Sequence, residues 1–363
     1  MSAILALESG HIFQGNSIGV AGIRVGEVVF NTALTGYQEI LTDPSYTQQI
    51  ITFTYPHIGN TGINLEDSQA SKIYAAGVII KSLSTFVSNW RATMSLQTFL
   101  QQQQAVAISD IDTRSLTKLI RNNGALNACI MAGEIDQDHA LRQAQKFSGL
   151  NGVDLTSVVT TSANYTINER ADLHIVLVDF GVKQNIIDCL VNLDCKLTVV
   201  PAHTKAQKIL ALKPDGVLLS NGPGDPQACK TIIANIKLLI SSAVPIFGIC
   251  LGHQLLALAL GAKTYKMNFG HHGANHPVQI LHNKQVLITS QNHGYAVDES
   301  TLPSDLQVTH RSLFDQSLQG FEHRMLPIFG FQGHPEAAPG PHDALVLFKD
   351  FIGAVRTQYA TKN

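Results

Sequence analysis

From residue 174 onward the chain alternates short, continuously apolar runs with helix-period segments, and that alternation admits few folds. His174-Ile-Val-Leu-Val-Asp179, Lys196-Leu-Thr-Val-Val200, Gly216-Val-Leu-Leu-Ser220 and Pro245-Ile-Phe-Gly-Ile249 read as buried strands. Helices are expected from about Lys183 to Leu193, after Pro226, and over Gln254-Leu-Leu-Ala-Leu-Ala-Leu260. Strands and helices in turn imply an α/β fold, a mostly parallel sheet flanked by helices on both faces. Ligands of such sheets bind at the carboxyl ends of the strands. Asn221-Gly-Pro-Gly-Asp-Pro226 and Cys250 both fall at such ends.

The first half has a different texture. Glu27-Val-Val-Phe30, Gln49-Ile-Ile-Thr-Phe53 and Ala76-Gly-Val-Ile-Ile80 read as strands bounded by turn residues, and Met1 to Glu8 as a first strand. A helix is expected from Asp112 to Asn122, with Leu116, Leu119 and Ile120 at helical spacing and Gly124 beyond its end. The polar, aperiodic stretch from Thr160 to Asp172 marks the junction. The expected organisation is a smaller mixed α/β N-terminal domain over 1–162, a linker over 163–173 and a second domain over 174–363. A length of 363 residues gives each domain enough chain to bury its own core.

Composition removes several classes of function. A hydrophobic fraction of 45% with 14% charged residues is that of a globular protein. A net charge of −2 leaves no electrostatic footprint for nucleic acid or an anionic membrane. No apolar run is long enough to span a bilayer, and the first residues lack the basic segment of a signal peptide. The five cysteines form no CxxC pair or regular framework, which fits free thiols in a reducing cytoplasm. Gly273 and Pro277 break any helix that would align His271, His272 and His276, and no acid or Cys completes a zinc set, so no metal site is expected. No phosphate-binding glycine loop occurs, and Asp179-Phe-Gly181 reads as a strand–helix turn.

Cys250 stands apart by context. Gly248-Ile-Cys-Leu-Gly252 joins a strand to a helix, with a glycine two residues before and two after the thiol. That spacing makes room for a nucleophile on a sharp elbow. The helix N-terminus behind it carries partial positive charge and favours thiolate. By pattern alone, a buried Cys beside tight strand–helix packing is the alternative. A thiolate needs a base, and Phe331-Gln-Gly-His-Pro-Glu336 offers one. The residue before a proline is pushed towards extended backbone, so His334 and Glu336 are expected on one side of an extended chain, Glu336 orienting His334. In the glycine-rich 221–226 loop, the backbone N–H of Gly224 is assigned as one oxyanion donor and that of Leu251 as the other.

Together, Gly248-Ile-Cys-Leu-Gly-His-Gln254, Asn221-Gly-Pro-Gly-Asp-Pro226 and Gly333-His-Pro-Glu336 resemble the class I, triad-type glutamine amidotransferase domain. Gly26-Glu-Val-Val-Phe-Asn-Thr32, Thr35-Gly-Tyr-Gln-Glu-Ile-Leu-Thr-Asp-Pro-Ser-Tyr46, Thr54-Tyr-Pro-His-Ile-Gly-Asn60 and Asp110-Ile-Asp-Thr-Arg114 resemble the N-terminal domain of the carbamoyl-phosphate synthase small subunit. So do Phe269-Gly-His-His-Gly273 and Ser290-Gln-Asn-His-Gly-Tyr-Ala-Val-Asp298. The resemblance implies a catalytic triad of Cys250, His334 and Glu336. It implies glutamine held by Ser45, Gly222, Gly224, Leu251, Gln254, Asn292, Gly294 and Tyr295, the last where phenylalanine is common in the family. It further implies a cytoplasmic glutaminase that passes ammonia to a large subunit, in a heterodimer or a higher oligomer of it. ATP and Mg are expected on that large subunit and no cofactor in this chain. Carbamoyl phosphate made from bicarbonate would serve pyrimidine and arginine biosynthesis.

Overall fold

The computed structural model describes residues 1–362 and divides into two compact units, Met1–Asn151 with Met267–Gly273, and Gly152–Lys266 with Ala274–Asn363.

In the first unit the elements are β1 (Ser2–Leu7), β2 (Ile12–Ser17), β3 (Gly22–Asn31), α1 (Tyr37–Thr42), β4 (Gln49–Phe53), β5 (His57–Ile58), β6 (Gly77–Ile79), β7 (Ser82–Leu83), α2 (Leu96–Gln102), β8 (Ala107–Ser109), α3 (Thr113–Asn123), β9 (Leu126–Ala132) and α4 (Gln137–Lys146). Seven strands close into a barrel in the order β1-β2-β8-β6-β4-β3-β9, and β5 pairs with β7 alone. Closure leaves no open edge. The barrel interior is apolar, with Leu5, Val28, Ile50, Ile79, Ile108 and Ile130 in one cluster. Helix α3 forms as its sequence predicts. The Asp112 side chain accepts the Ser115 N–H at 2.9 Å, Leu116 and Ile120 face the core, and Gly124 ends the helix at φ +87°.

The second unit holds α5 (Thr156–Val159), β10 (Tyr165–Ile167), β11 (Leu173–Asp179), α6 (Gln184–Val191), β12 (Cys195–Pro201), α7 (Ala206–Ala211), β13 (Gly216–Leu219), α8 (Lys230–Ile240), β14 (Ile246–Ile249), α9 (Leu251–Leu260), β15 (Lys263–Ile280), β16 (Val286–Asp298), β17 (Leu306–Ser312), β18 (Leu318–His323), β19 (Ile328–Phe331) and α10 (Val346–Lys362). Its ten-stranded sheet has the order β10-β12-β11-β13-β14-β19-β18-β17-β15-β16. Neighbouring residues of β11 point to opposite faces, as the two-residue strand period requires. Val176 and Val178 join Ile232, Ile236, Leu255 and Leu256 of α8 and α9 on one side. Ile175 and Leu177 join Ile186 and Leu190 of α6 and Phe348 and Phe351 of α10 on the other.

Three expectations need correcting. The sheet is parallel only from β12 through β11, β13 and β14 to β19. Beyond β19, strands β18, β17 and β15 are antiparallel, because a connection as short as that between Ser312 and Leu318 closes a hairpin and cannot make a crossover. The expected linker at 163–173 carries β10, which pairs antiparallel with β12 at the sheet edge. The boundary between compact units accordingly falls at Asn151–Gly152 and not after 162, and the second unit begins well before residue 174.

Candidate active site

Strand β14 ends at Ile249, Cys250 turns the chain, and α9 starts at Leu251. Cys250 has φ +52° and ψ −106°, a conformation that L side chains rarely adopt. Two contacts explain the glycines around it. A Cβ on Gly248 would lie 2.6 Å from the Gly252 carbonyl oxygen, and one on Gly252 would lie 2.2 Å from that of Leu219. Both separations are closer than van der Waals contact allows, so the elbow closes only with glycine at both places. The Cys250 N–H donates to the Phe331 carbonyl at 2.9 Å, which ties the elbow to the end of β19. The buried thiol donates to the Asn292 carbonyl at 3.5 Å.

The chain that leaves β19 carries His334. Its N–H donates to the Ser290 carbonyl at 2.9 Å, and its Nδ1 lies 2.7 Å from Glu336 Oε1. The pair meets as expected, but not along an extended chain. The Ala337 N–H donates back to the His334 carbonyl at 3.0 Å, so residues 334–337 form a turn with Pro335 at its second position, where proline's fixed φ is favoured. Ala337 follows at φ +58°.

Sequence reasoning missed the third member of this buried array. Lys183 Nζ lies 2.9 Å from the same Glu336 oxygen and also donates to the Ala337 carbonyl, with both side chains almost wholly buried. Asp179 builds the turn that delivers it. One carboxylate oxygen accepts the N–H groups of Gly181 and Val182 at 2.8 Å each, and the Lys183 N–H donates to the Asn221 side-chain oxygen. Asn185 adds a bond from its side-chain amide to the Glu336 carbonyl. No local pattern marks a lysine at the start of a helix as buried.

The electrostatics follow from this packing. Burial is the largest influence on His334 and opposes its charge. The Glu336 carboxylate and Cys250 together outweigh it and the opposing Lys183, and the imidazole is raised to about 10. Burial likewise works against the Glu336 charge, but Lys183 and His334 together lower it to about 2. The two shifts agree on an imidazolium–carboxylate pair. Cys250 acts on the ring through its proximity, while Nε2 has no partner in hydrogen-bonding geometry. His253 is no rival base. It is fully buried against Phe321, 4.9 Å between ring centres, and burial holds it neutral, lowered to about 3.

Removing Lys183 leaves a buried carboxylate short of a counter-charge. Lys183→Met is expected to destabilise the chain by about 3 kcal/mol, read as a lower urea midpoint at unchanged slope; an unchanged midpoint contradicts the buried pairing.

Asn292 meets Cys250 through its carbonyl, and Leu251 follows it in the chain. Leu251 is the first residue of α9, and Gly224 sits at φ +97°. A Cβ on Gly222 would fall 2.2 Å from the Phe180 carbonyl oxygen and 2.9 Å from Leu251. Gln254 donates to the Tyr295 carbonyl at 2.8 Å. A Cβ on Gly294 would meet open space, so packing does not demand its glycine. Ser45 belongs to the first unit, buried in the single turn Pro44–Tyr46, with its N–H on the Asp43 carboxylate at 2.9 Å. Among the described residues no group of three or more His, Cys, Asp and Glu side chains is placed to hold a metal ion. No described helix is long and apolar enough to cross a membrane. The four remaining cysteines all have thiols pushed up by burial, Cys129 and Cys195 to about 11 and Cys189 to about 12, Cys229 further still.

Two family models match the chain in this same division. Residues 5–130 match the carbamoyl-phosphate synthase small chain, CPSase domain, and residues 176–354 match the class-I glutamine amidotransferase. The carbamoyl phosphate synthase small chain of Vibrio cholerae is 55% identical over 372 residues, covering 98% of both chains. That of Pasteurella multocida is 56% identical over 367 residues, covering 98% of this chain and 95% of the relative. The chain belongs to the carbamoyl phosphate synthase small-chain family. As a small chain it carries the glutamine amidotransferase domain of a glutamine-hydrolysing carbamoyl phosphate synthase. The Pseudomonas aeruginosa small chain, at 55% identity over 97% of this chain and 98% of its own, gives the same assignment.

The charge state of His334 yields a pH signature for this small chain. The imidazolium is fully held below its ordinary value near 6.5 and lost only as pH rises towards 10. Glutamate release is therefore expected to show no inflection near pH 6.5 and to fall on the alkaline side. Glu336→Gln removes the group that holds the charge, so its alkaline limb should move to lower pH. Superimposable profiles between pH 5.5 and 10 would contradict the pairing.

Proposed function

We propose that this chain is the glutaminase subunit of a two-subunit synthase, working through a cysteine thioester. The Cys250 thiolate attacks the side-chain carbonyl carbon of glutamine, and the oxyanion that forms rests on the N–H groups of Gly224 and Leu251. The protonated His334 gives its proton to the leaving nitrogen, which departs as ammonia. Water, deprotonated by His334, then attacks the γ-glutamyl thioester and releases glutamate and the free thiol. Glu336 holds His334 in place through Nδ1, and Lys183 holds Glu336.

Glutamine is bound by Ser45, Gly222, Gly224, Leu251, Gln254, Asn292, Gly294 and Tyr295. The ammonia goes to a large, ATP- and Mg-dependent subunit that makes carbamoyl phosphate from bicarbonate for pyrimidine and arginine biosynthesis. The observation that carries this reading is the buried His334–Glu336–Lys183 array beside a thiol on a strained strand-to-helix elbow.

The test is to purify the chain with its native partner, supply bicarbonate and ATP, and compare glutamine with ammonia as nitrogen source. Glutamate and carbamoyl phosphate should form together from glutamine. The chain alone should release glutamate slowly and make no carbamoyl phosphate. Carbamoyl phosphate from the isolated chain would overturn the division of labour.

A further inference from the structure

Gln254 and Gln332 form a buried amide pair behind the thiol. Gln254 Nε2 donates to the Tyr295 carbonyl at 2.8 Å and to Gln332 Oε1 at 3.1 Å. A primary amide has two N–H donors and one oxygen, so both donors of Gln254 are consumed and only Oε1 remains. The Tyr295 carbonyl can only accept, which fixes the nitrogen of Gln254 on that side. Gln332 must then present its oxygen, and its own Nε2 is left buried without a partner. A fully buried donor kept unsatisfied two residues before His334 asks for a reason. The bond it permits is that reason: turned over, the Gln254 amide would set its oxygen against the Gln332 oxygen as well as the Tyr295 carbonyl.

We propose that Gln332 is a positioning residue that locks the Gln254 amide with its oxygen towards the substrate, where it accepts from a donor such as the α-ammonium of an amino acid. This rests on the reading that Gln254 faces glutamine. It makes recognition at that point one-sided, since an oxygen takes an ammonium and rejects a carboxylate. Gln332 touches no substrate itself. It acts through the orientation of Gln254, so it bears on binding and not on the chemistry at Cys250.

The test uses the assembled complex. Gln332→Met removes the acceptor at similar volume and should raise KM for glutamine about tenfold or more, the scale of one hydrogen bond to a charged group. The kcat should stay within about threefold. Alkylation of Cys250 by iodoacetamide, which needs no α-ammonium, should keep its rate. Gln332→Glu keeps an acceptor and should restore KM towards the parent value. Gln332→Asn, too short for the 3.1 Å bond, carries the same expectation as Met and serves if the Met variant fails to fold. Ammonia-dependent synthesis reports that each complex is assembled. An unchanged KM in both Met and Asn variants overturns the proposal, as does a loss of kcat and alkylation together. Gln254→Ala separates the two levels: if it raises KM while the Gln332 variants do not, only the lock fails. If Gln254→Ala leaves KM unchanged as well, the glutamine-site reading fails with it.

Discussion

Cys250→Ser is expected to lower glutamine-dependent synthesis by the assembled complex on the order of 10³-fold or more, while ammonia-dependent synthesis stays near the parent rate. The substitution changes one atom at a site whose backbone is already fixed by Gly248, Gly252 and the bond to Phe331. What it removes is the nucleophilicity of sulfur, and a hydroxyl beside an imidazolium that is already protonated has no base to take its proton. Ammonia as nitrogen source bypasses the thiol, so a fall in both activities would point to lost assembly. Retention of glutamine turnover would remove Cys250 from the chemistry.

His334→Asn should be nearly as damaging, again on the order of 10³-fold, because the leaving nitrogen then has no proton donor. Asn keeps a polar group near Glu336 but cannot carry the charge that the carboxylate and Lys183 are arranged around. The decisive measurement is the double variant. If Cys250 and His334 act in one step, as proposed, the Cys250→Ser, His334→Asn chain should be no more than about threefold worse than the poorer single variant. A loss equal to the product of the two single losses would mean that the residues work independently.

How much of this is legible in the sequence differs by region, for physical reasons. The strands β11 to β14 and the helix α9 were readable because a buried parallel strand is apolar along its whole length and ends in turn residues. Cys250 and His334 were readable because each lies in a short motif of glycine and proline whose backbone role is local. Closure of the first unit into a barrel was not, since β9 pairs with β1 and with β3, each about a hundred residues or more away. The antiparallel half of the sheet was also missed, because β17 and β18 mix polar and apolar residues and carry register shifts at Val308 and His310. Lys183 was invisible for a different reason. A lysine is presumed exposed unless something buried opposes its charge, and what opposes it here is Glu336, 153 positions further on.

The backbone of Cys250 bears on how such a chain drifts over generations. At φ +52° the elbow would sit most easily with glycine, and a non-glycine residue in such a conformation carries about 1–3 kcal/mol of strain. Mutation of this codon to glycine therefore relieves that backbone strain while abolishing the thiol. A population selected only for heat tolerance, with ammonia supplied so that the thiol is idle, should accumulate glycine at 250. On the proposed mechanism, cysteine should persist at 250 only where glutamine must be used.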